Sequence, residues 1–187
     1  MRCAPLCRMS PQRRHCFLQP WRPLLALTVM LLPVTAFADW QVRTQADPDK
    51  KQSFTFAGTA NPDGHHLEIY RDQGNAIRAR FTLADSLLQF APKSCPTYQI
   101  DAREPVNLSI HDAPCIATPV RAEYILGYVE DKQIESASLL AFMNGVKVSF
   151  RFRLDSGAYR ETMFSLGGSS SAIIRAIGRQ YQVRAPR

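Results

Sequence analysis

Three groups of side chains have the types and spacing to do chemistry. His65, His66 and Glu68 stand within four positions of one another. On an extended strand successive side chains point to opposite faces, so His66 and Glu68 share a face and His65 points away with Leu67. Two ligands at i and i+2 begin a metal site, and His111 or Asp112 would have to complete it. The competing reading is a solvated strand start after the Asp63-Gly64 turn. The second group is four arginines. Arg78 and Arg80 alternate with Ile77, Ala79 and Phe81, and Arg151 and Arg153 alternate with Phe150 and Phe152. If the two strands lie in one sheet, four guanidinium groups form an anion-binding patch, because the planar fork grips phosphate or carboxylate with two hydrogen bonds. Tyr70 and Tyr159 fall near this pattern. The alternative is a solvated sheet face whose arginines are offset by Glu68 and Glu161, charge that also discourages edge pairing. The third group is Gly167-Gly168-Ser169-Ser170-Ser171 ahead of an apolar helical pattern. A glycine-rich turn at a helix start can hold an anion, but this one lacks the lysine of a P-loop, and Ser171 stands where G-x-S-x-G needs glycine. It reads as a tight turn and a helix cap.

Catalytic residues are not assigned. After the leader described below, His65, His66 and His111 are the histidine bases on offer, and no serine or cysteine sits in a nucleophile-elbow pattern. Glu130 and Asp131 lie at a polar turn. Asn107-Leu108-Ser109 matches a glycosylation sequon and reads as a chance match in a bacterial strand. No cofactor motif is present, and none is expected.

The elements that must position these groups are mostly strands. Leu67, Ile69, the turn Asp72-Gln73-Gly74-Asn75, then Ile77, Ala79, Phe81 and Leu83 read as a hairpin with one apolar face. Val106, Leu108 and Ile110 alternate, as do Val146, Val148, Phe150, Phe152 and Leu154, launched by Asn144-Gly145. Further strands are expected at Gln41–Thr44, Ser53–Ala57, Tyr98–Ala102, Tyr124–Val129 and Tyr159–Leu166. Helices are expected at Glu135–Met143 and Ser170–Tyr181, the second with serines placed to cap its free N–H groups. The fold class that follows is all-β: an antiparallel sandwich or barrel with a short internal helix and a C-terminal helix.

The chain opens with Arg2, Arg8, Arg13, Arg14 and Arg22, continues through the apolar run Leu24–Leu32 and reaches Ala36-Phe37-Ala38. That is the plan of a cleaved signal peptide, residues 1–38, whether translation starts at Met1 or Met9. The apolar run is far short of the ~20 residues needed to span a bilayer. Asp39 to Arg187 then form one β-sandwich domain placed in the periplasm or secreted, with no transmembrane segment. Of 23 basic residues five lie in the leader and none of the 16 acidic ones does, which leaves 18 against 16 in the exported chain. A charge of about +2 excludes nucleic acid as the expected partner. Three of five cysteines also lie in the leader, leaving Cys95 and Cys115. In an oxidising compartment these pair; the rival is metal ligation by Cys95, Cys115 and His111.

The opening Asp39-Trp40-Gln41-Val42, the pair Cys95 and Cys115, the unit of helix, Gly145 and strand, and the ending Phe164-Ser165-Leu166-Gly167-Gly168 to Ala172 resemble the invasion-associated locus B family of secreted bacterial proteins. The family also carries a cysteine shortly after its opening tryptophan, and here Arg43 stands in that neighbourhood. The resemblance implies a periplasmic or secreted β-sandwich without catalytic residues, associated in some bacteria with host-cell invasion, and it brings no functional residue with it. The function expected is therefore a non-catalytic binding or accessory protein of the bacterial envelope, its partner an envelope protein or an anionic ligand met by the arginine face. The alternatives are a metal-dependent hydrolase built around His65 or His66 with Glu68 and His111, and a structural subunit of an envelope assembly.

Overall fold

The computed structural model describes residues 39–47, 52–85, 87–107 and 115–186. Its strands are β1 (Gln41–Asp47), β2 (Gln52–Ala60), β3 (His66–Arg71), β4 (Ala76–Thr82), β5 (Thr97–Ile100), β6 (Cys115–Ala117), β7 (Arg121–Tyr128), β8 (Gln133–Glu135), β9 (Lys147–Arg153), β10 (Tyr159–Ser165) and β11 (Gln182–Arg184); its helices are α1 (Ala137–Asn144) and α2 (Ser169–Ile177). One antiparallel sheet runs in the order β1-β2-β3-β4-β7-β6, a second in the order β10-β9-β5, and β8 pairs with β11 in parallel. The fold is all-β with antiparallel principal sheets, as the alternation implies. Among the described residues no helix is long and apolar enough to cross a membrane.

Period-two patterning places each apolar residue. In β4 the inward set is Ile77, Ala79 and Phe81, and in β9 it is Val148, Phe150 and Phe152, all buried. The two sheets meet through these rings: Phe81 stacks on Phe150 with centroids 4.5 Å apart, and Phe90, Phe152 and Phe164 surround the pair. The rest of the inner face of the large sheet is covered by α2, which packs on β1, β2 and β3 through Ala172, Ile173 and Ile177. Trp40 is drawn into this core, its indole N–H donating to the Ser165 carbonyl at 2.9 Å.

A polar clasp joins the sheets at one edge. Asn61, just past β2, donates through Nδ2 to the Met163 carbonyl at 3.1 Å and to Thr162 Oγ1, and Thr162 Oγ1 donates to Asp63 Oδ2 at 2.7 Å. Cys95 and Cys115 form a disulfide that ties edge strand β6 to the segment entering β5. Both sulfurs are thereby withdrawn from the alternative metal set, and His111 lies outside the described residues.

Two expectations need correction. The serines that open α2 do not cap it: the N-cap is Gly168, in the left-handed region at φ 83 with no side-chain cap bond. Ser169 Oγ is buried and donates to the Phe142 carbonyl, and Ser171 Oγ donates to the Gly168 carbonyl, so both hydroxyls face acceptors. The alternation at Val106 is also not a strand within the described residues; Val106 makes a single bridge with Tyr98, while Leu108, Ser109, Ile110 and Asp112 lie outside them.

Candidate functional site

The outer face of the six-stranded sheet is built in rows by strand register. One row runs Gln41, Gly58, Glu68, Arg80, Glu123 and Ile116; the next runs Arg43, Phe56, Tyr70, Arg78 and Ile125; a third runs Ala60, His66, Thr82 and Arg121. A register shift at Ile77/Arg78 in the β4–β7 pairing brings Ile125 opposite Arg78. Aromatic rings point outward here against the usual economy of burial. Phe54, Phe56 and Tyr70 lie with centroids 5.8 and 5.4 Å from their neighbours. They shelter one another, so Phe56 and Tyr70 are buried on an outward face.

Arg80 is the centre of this cluster. Its guanidinium carbon lies 5.4 Å from the Phe54 ring and 5.1 Å from the Tyr70 ring, distances at which cation–π attraction operates. Its Nε donates to Glu68 Oε2. Among the described residues its two terminal nitrogens have no partner, although the side chain is only 11% exposed. The fork is held by its root and offers both tines. Arg78 is spent differently: Nε pairs with Asp72 Oδ2 at 2.6 Å, and Nη1 is buried without a partner, a cost of about 1–3 kcal/mol. Burial alone would raise the Asp72 carboxyl, yet the Arg78 contact and the Ala76 amide outweigh it and hold Asp72 below its ordinary value. Burial, then the negative charge of the nearby Glu123 carboxylate, pushes the Tyr70 phenol up to about 12.

Two clefts cross this face and share Phe54, Arg80 and Arg121. The larger, about 730 Å³, also holds Arg43, His66 and Gly58. Gly58 has no side chain to fill it; a Cβ there would come within 3.1 Å of the Phe56 ring and 3.3 Å of Glu68 Cγ. A glycine inside a strand weakens it and marks a place where something approaches closely. Arg43 and Arg121 are exposed and, among the described residues, have no ion-pair partner; Arg43 holds only Gln41 Oε1, at 2.6 Å from Nη2.

The structure does not assemble the four arginines predicted as one patch. Arg78 and Arg80 belong to the large sheet and Arg151 and Arg153 to the small one, and the two sheets meet by their apolar faces, so the pairs point to opposite sides. Arg151 is paired with Glu161 at 3.1 Å and Arg153 lies 5.9 Å from the Tyr159 ring. His66 and Glu68 do share a face, with Glu68 engaged by Arg80. Among the described residues no three potential metal ligands converge. His65 is a core histidine: Nδ1 accepts from the Ala84 amide at 2.9 Å, and its ring stands edge-on to Phe81 and Phe152. Arg43, Arg121, Phe54 and Phe56 were not singled out from the sequence. Phe54-Thr-Phe56-Ala-Gly58 carried the signal, two aromatics and a glycine at period two on one face.

No protein-family model matches the chain, and no curated protein matches it. Among solved structures, the chain is similar to the crystal structure of invasion associated protein B from Bartonella henselae, with 9% identity, a TM-score of 0.47, and coverage of 75% of this chain and 92% of that one.

Proposed function

We propose that the protein is a non-catalytic binding protein of the bacterial envelope, periplasmic or secreted, of the invasion-associated locus B type, and that it meets an anionic envelope component with the outer face of its six-stranded sheet. The observation that carries this is that Arg43 and Arg121, which have no ion-pair partner among the described residues, stand with the terminal nitrogens of Arg80 around one open cleft. The leader pattern and the Cys95–Cys115 disulfide support the location, since disulfides persist in oxidising compartments. The commitment of His65 to the core supports a binding role over hydrolysis, because its imidazole already serves the Ala84 amide.

The test is co-sedimentation with vesicles of phosphatidylglycerol and phosphatidylcholine. A basic residue near an anionic surface contributes about 1 kcal/mol. The double variant Arg43→Gln/Arg121→Gln should therefore lose about 2 kcal/mol, roughly thirty-fold in affinity, and the binding of the unmodified protein should weaken as salt is raised. The variant Arg151→Ser/Arg153→Ser, altered on the opposite side, should bind as before. Equal binding by all three proteins, or none by the unmodified protein, would sink the reading.

A further inference from the structure

The face carries two cationic poles. Arg121 lies opposite Thr82, two residues along β7 from the Glu123 that opposes Arg80. Arg80 and Arg121 are thus diagonal neighbours, about 7–8 Å apart at the backbone, close enough for one tetrahedral or planar anion to bridge them. Arg43 is four strands from Arg121, about 19 Å at the usual strand spacing, too far to share that anion. Between the poles the cleft is floored by Gly58 and Ala60 of β2 with Glu68 and His66 of β3, and walled by Phe54 and Phe56. A surface meant only for a polyanion has no use for aromatic walls, and the glycine gives up strand stability so that the Phe56 ring can lie close against the strand, where a Cβ would come within 3.1 Å of it.

Resting on the reading above and deepening it, we propose that the cleft takes a phosphate-bearing amphiphile one molecule at a time. Its phosphate is held between Arg80 and Arg121, and its apolar body lies along Ala60 against the Phe54 and Phe56 rings. Glu68 contributes by fixing Nε of Arg80, so the terminal nitrogens are aimed before the ligand arrives; Glu68 is a positioning residue. The monomeric amphiphile is the occupant, and a lipid bilayer surface is the outcome the test must separate from it.

Calorimetric titration of the oxidised protein with dodecyl phosphate, kept below its micelle concentration, tests this against inorganic phosphate and uncharged dodecyl maltoside. The expected result is dodecyl phosphate binding at least tenfold more tightly than either control. Gly58→Val should erase the preference over inorganic phosphate, and Arg121→Gln should weaken both phosphates. If Gly58→Val does not fold, Phe54→Ala, at a half-buried outward position, takes its place with the same expectation. Dodecyl phosphate binding no better than inorganic phosphate, or a preference that survives in the folded variant, overturns the proposal. Vesicle binding without monomer binding also overturns it and leaves the envelope-contact reading standing. Monomer binding without vesicle binding supports it and removes the vesicle-surface reading.

Discussion

The imidazole of His65 stands between the two sheets, and its position has a consequence for acid stability. Burial lowers its pKa below 6.5, with neighbouring His66 adding to the effect and Asp63 opposing it. A proton on Nδ1 would also meet the Ala84 N–H that now donates to it. The unfolded chain therefore binds this proton more readily than the folded one. The stability it confers is complete above the unfolded value near 6.5 and is lost as pH falls through that value toward the lowered folded one. The melting temperature should fall between pH 7 and pH 5, and His65→Gln, which keeps an acceptor but no titrating proton, should flatten that decline; an unchanged slope in thermal melts would refute the assignment. The parity of His65 and His66 was legible in the sequence because a strand start fixes it by alternation. The roles of Arg43 and Arg121 were not, because an arginine's freedom depends on whether a carboxylate from another strand reaches it, and register across strands is not written in any one of them.

At the scale of elements, α1 shows how much rests on single contacts. Ser136 Oγ accepts from the Leu139 amide at 2.9 Å and donates to the Leu126 carbonyl, so one hydroxyl caps the helix and pins it to β7. Ser136→Ala should cost about 1–2 kcal/mol in denaturant unfolding. At the other end the chain needs glycine for space, since a Cβ at Gly145 would come within 2.7 Å of Ile100 and 2.8 Å of the Ala141 carbonyl. Gly145→Ala should destabilise the protein by about 1–3 kcal/mol, as overpacking does, and a neutral outcome would contradict the close approach. Strands with a strong inside and outside, such as β4 and β9, were readable from residue pattern alone. The parallel pairing of β8 with β11 was not: each has three residues, too few for a period, and they meet only because α1 and α2 carry the chain back. The α2 cap was misread because a serine hydroxyl both donates and accepts, and a buried carbonyl of Phe142 claims Ser169 first.

For the whole molecule, the division of labour lies between a covered and an uncovered side of one sheet. The small sheet and α2 seal one side, and the disulfide holds β6, a three-residue edge strand, against that arrangement. Closing a loop of 20 residues stabilises by about 3 kcal/mol in the chain-entropy model. Cys95→Ala/Cys115→Ala should therefore lower the unfolding free energy by about that amount, and reductant should have no further effect on the variant. Pairing of two cysteines was legible from their number, whereas the assignment of β4 and β9 to different sheets was hidden, because alternation reports which way a side chain points and not which layer its strand joins. The tightness at Gly58 has a consequence that an engineer would meet first. A strand forgoes roughly 0.5–1 kcal/mol at glycine, but a Cβ at position 58 would have to push back the Phe56 ring and Glu68 Cγ, and overpacking costs about 1–3 kcal/mol. A library selected only for survival of heating should therefore keep glycine at position 58, and the aromatic wall beside it would be inherited by every survivor without any selection for ligand.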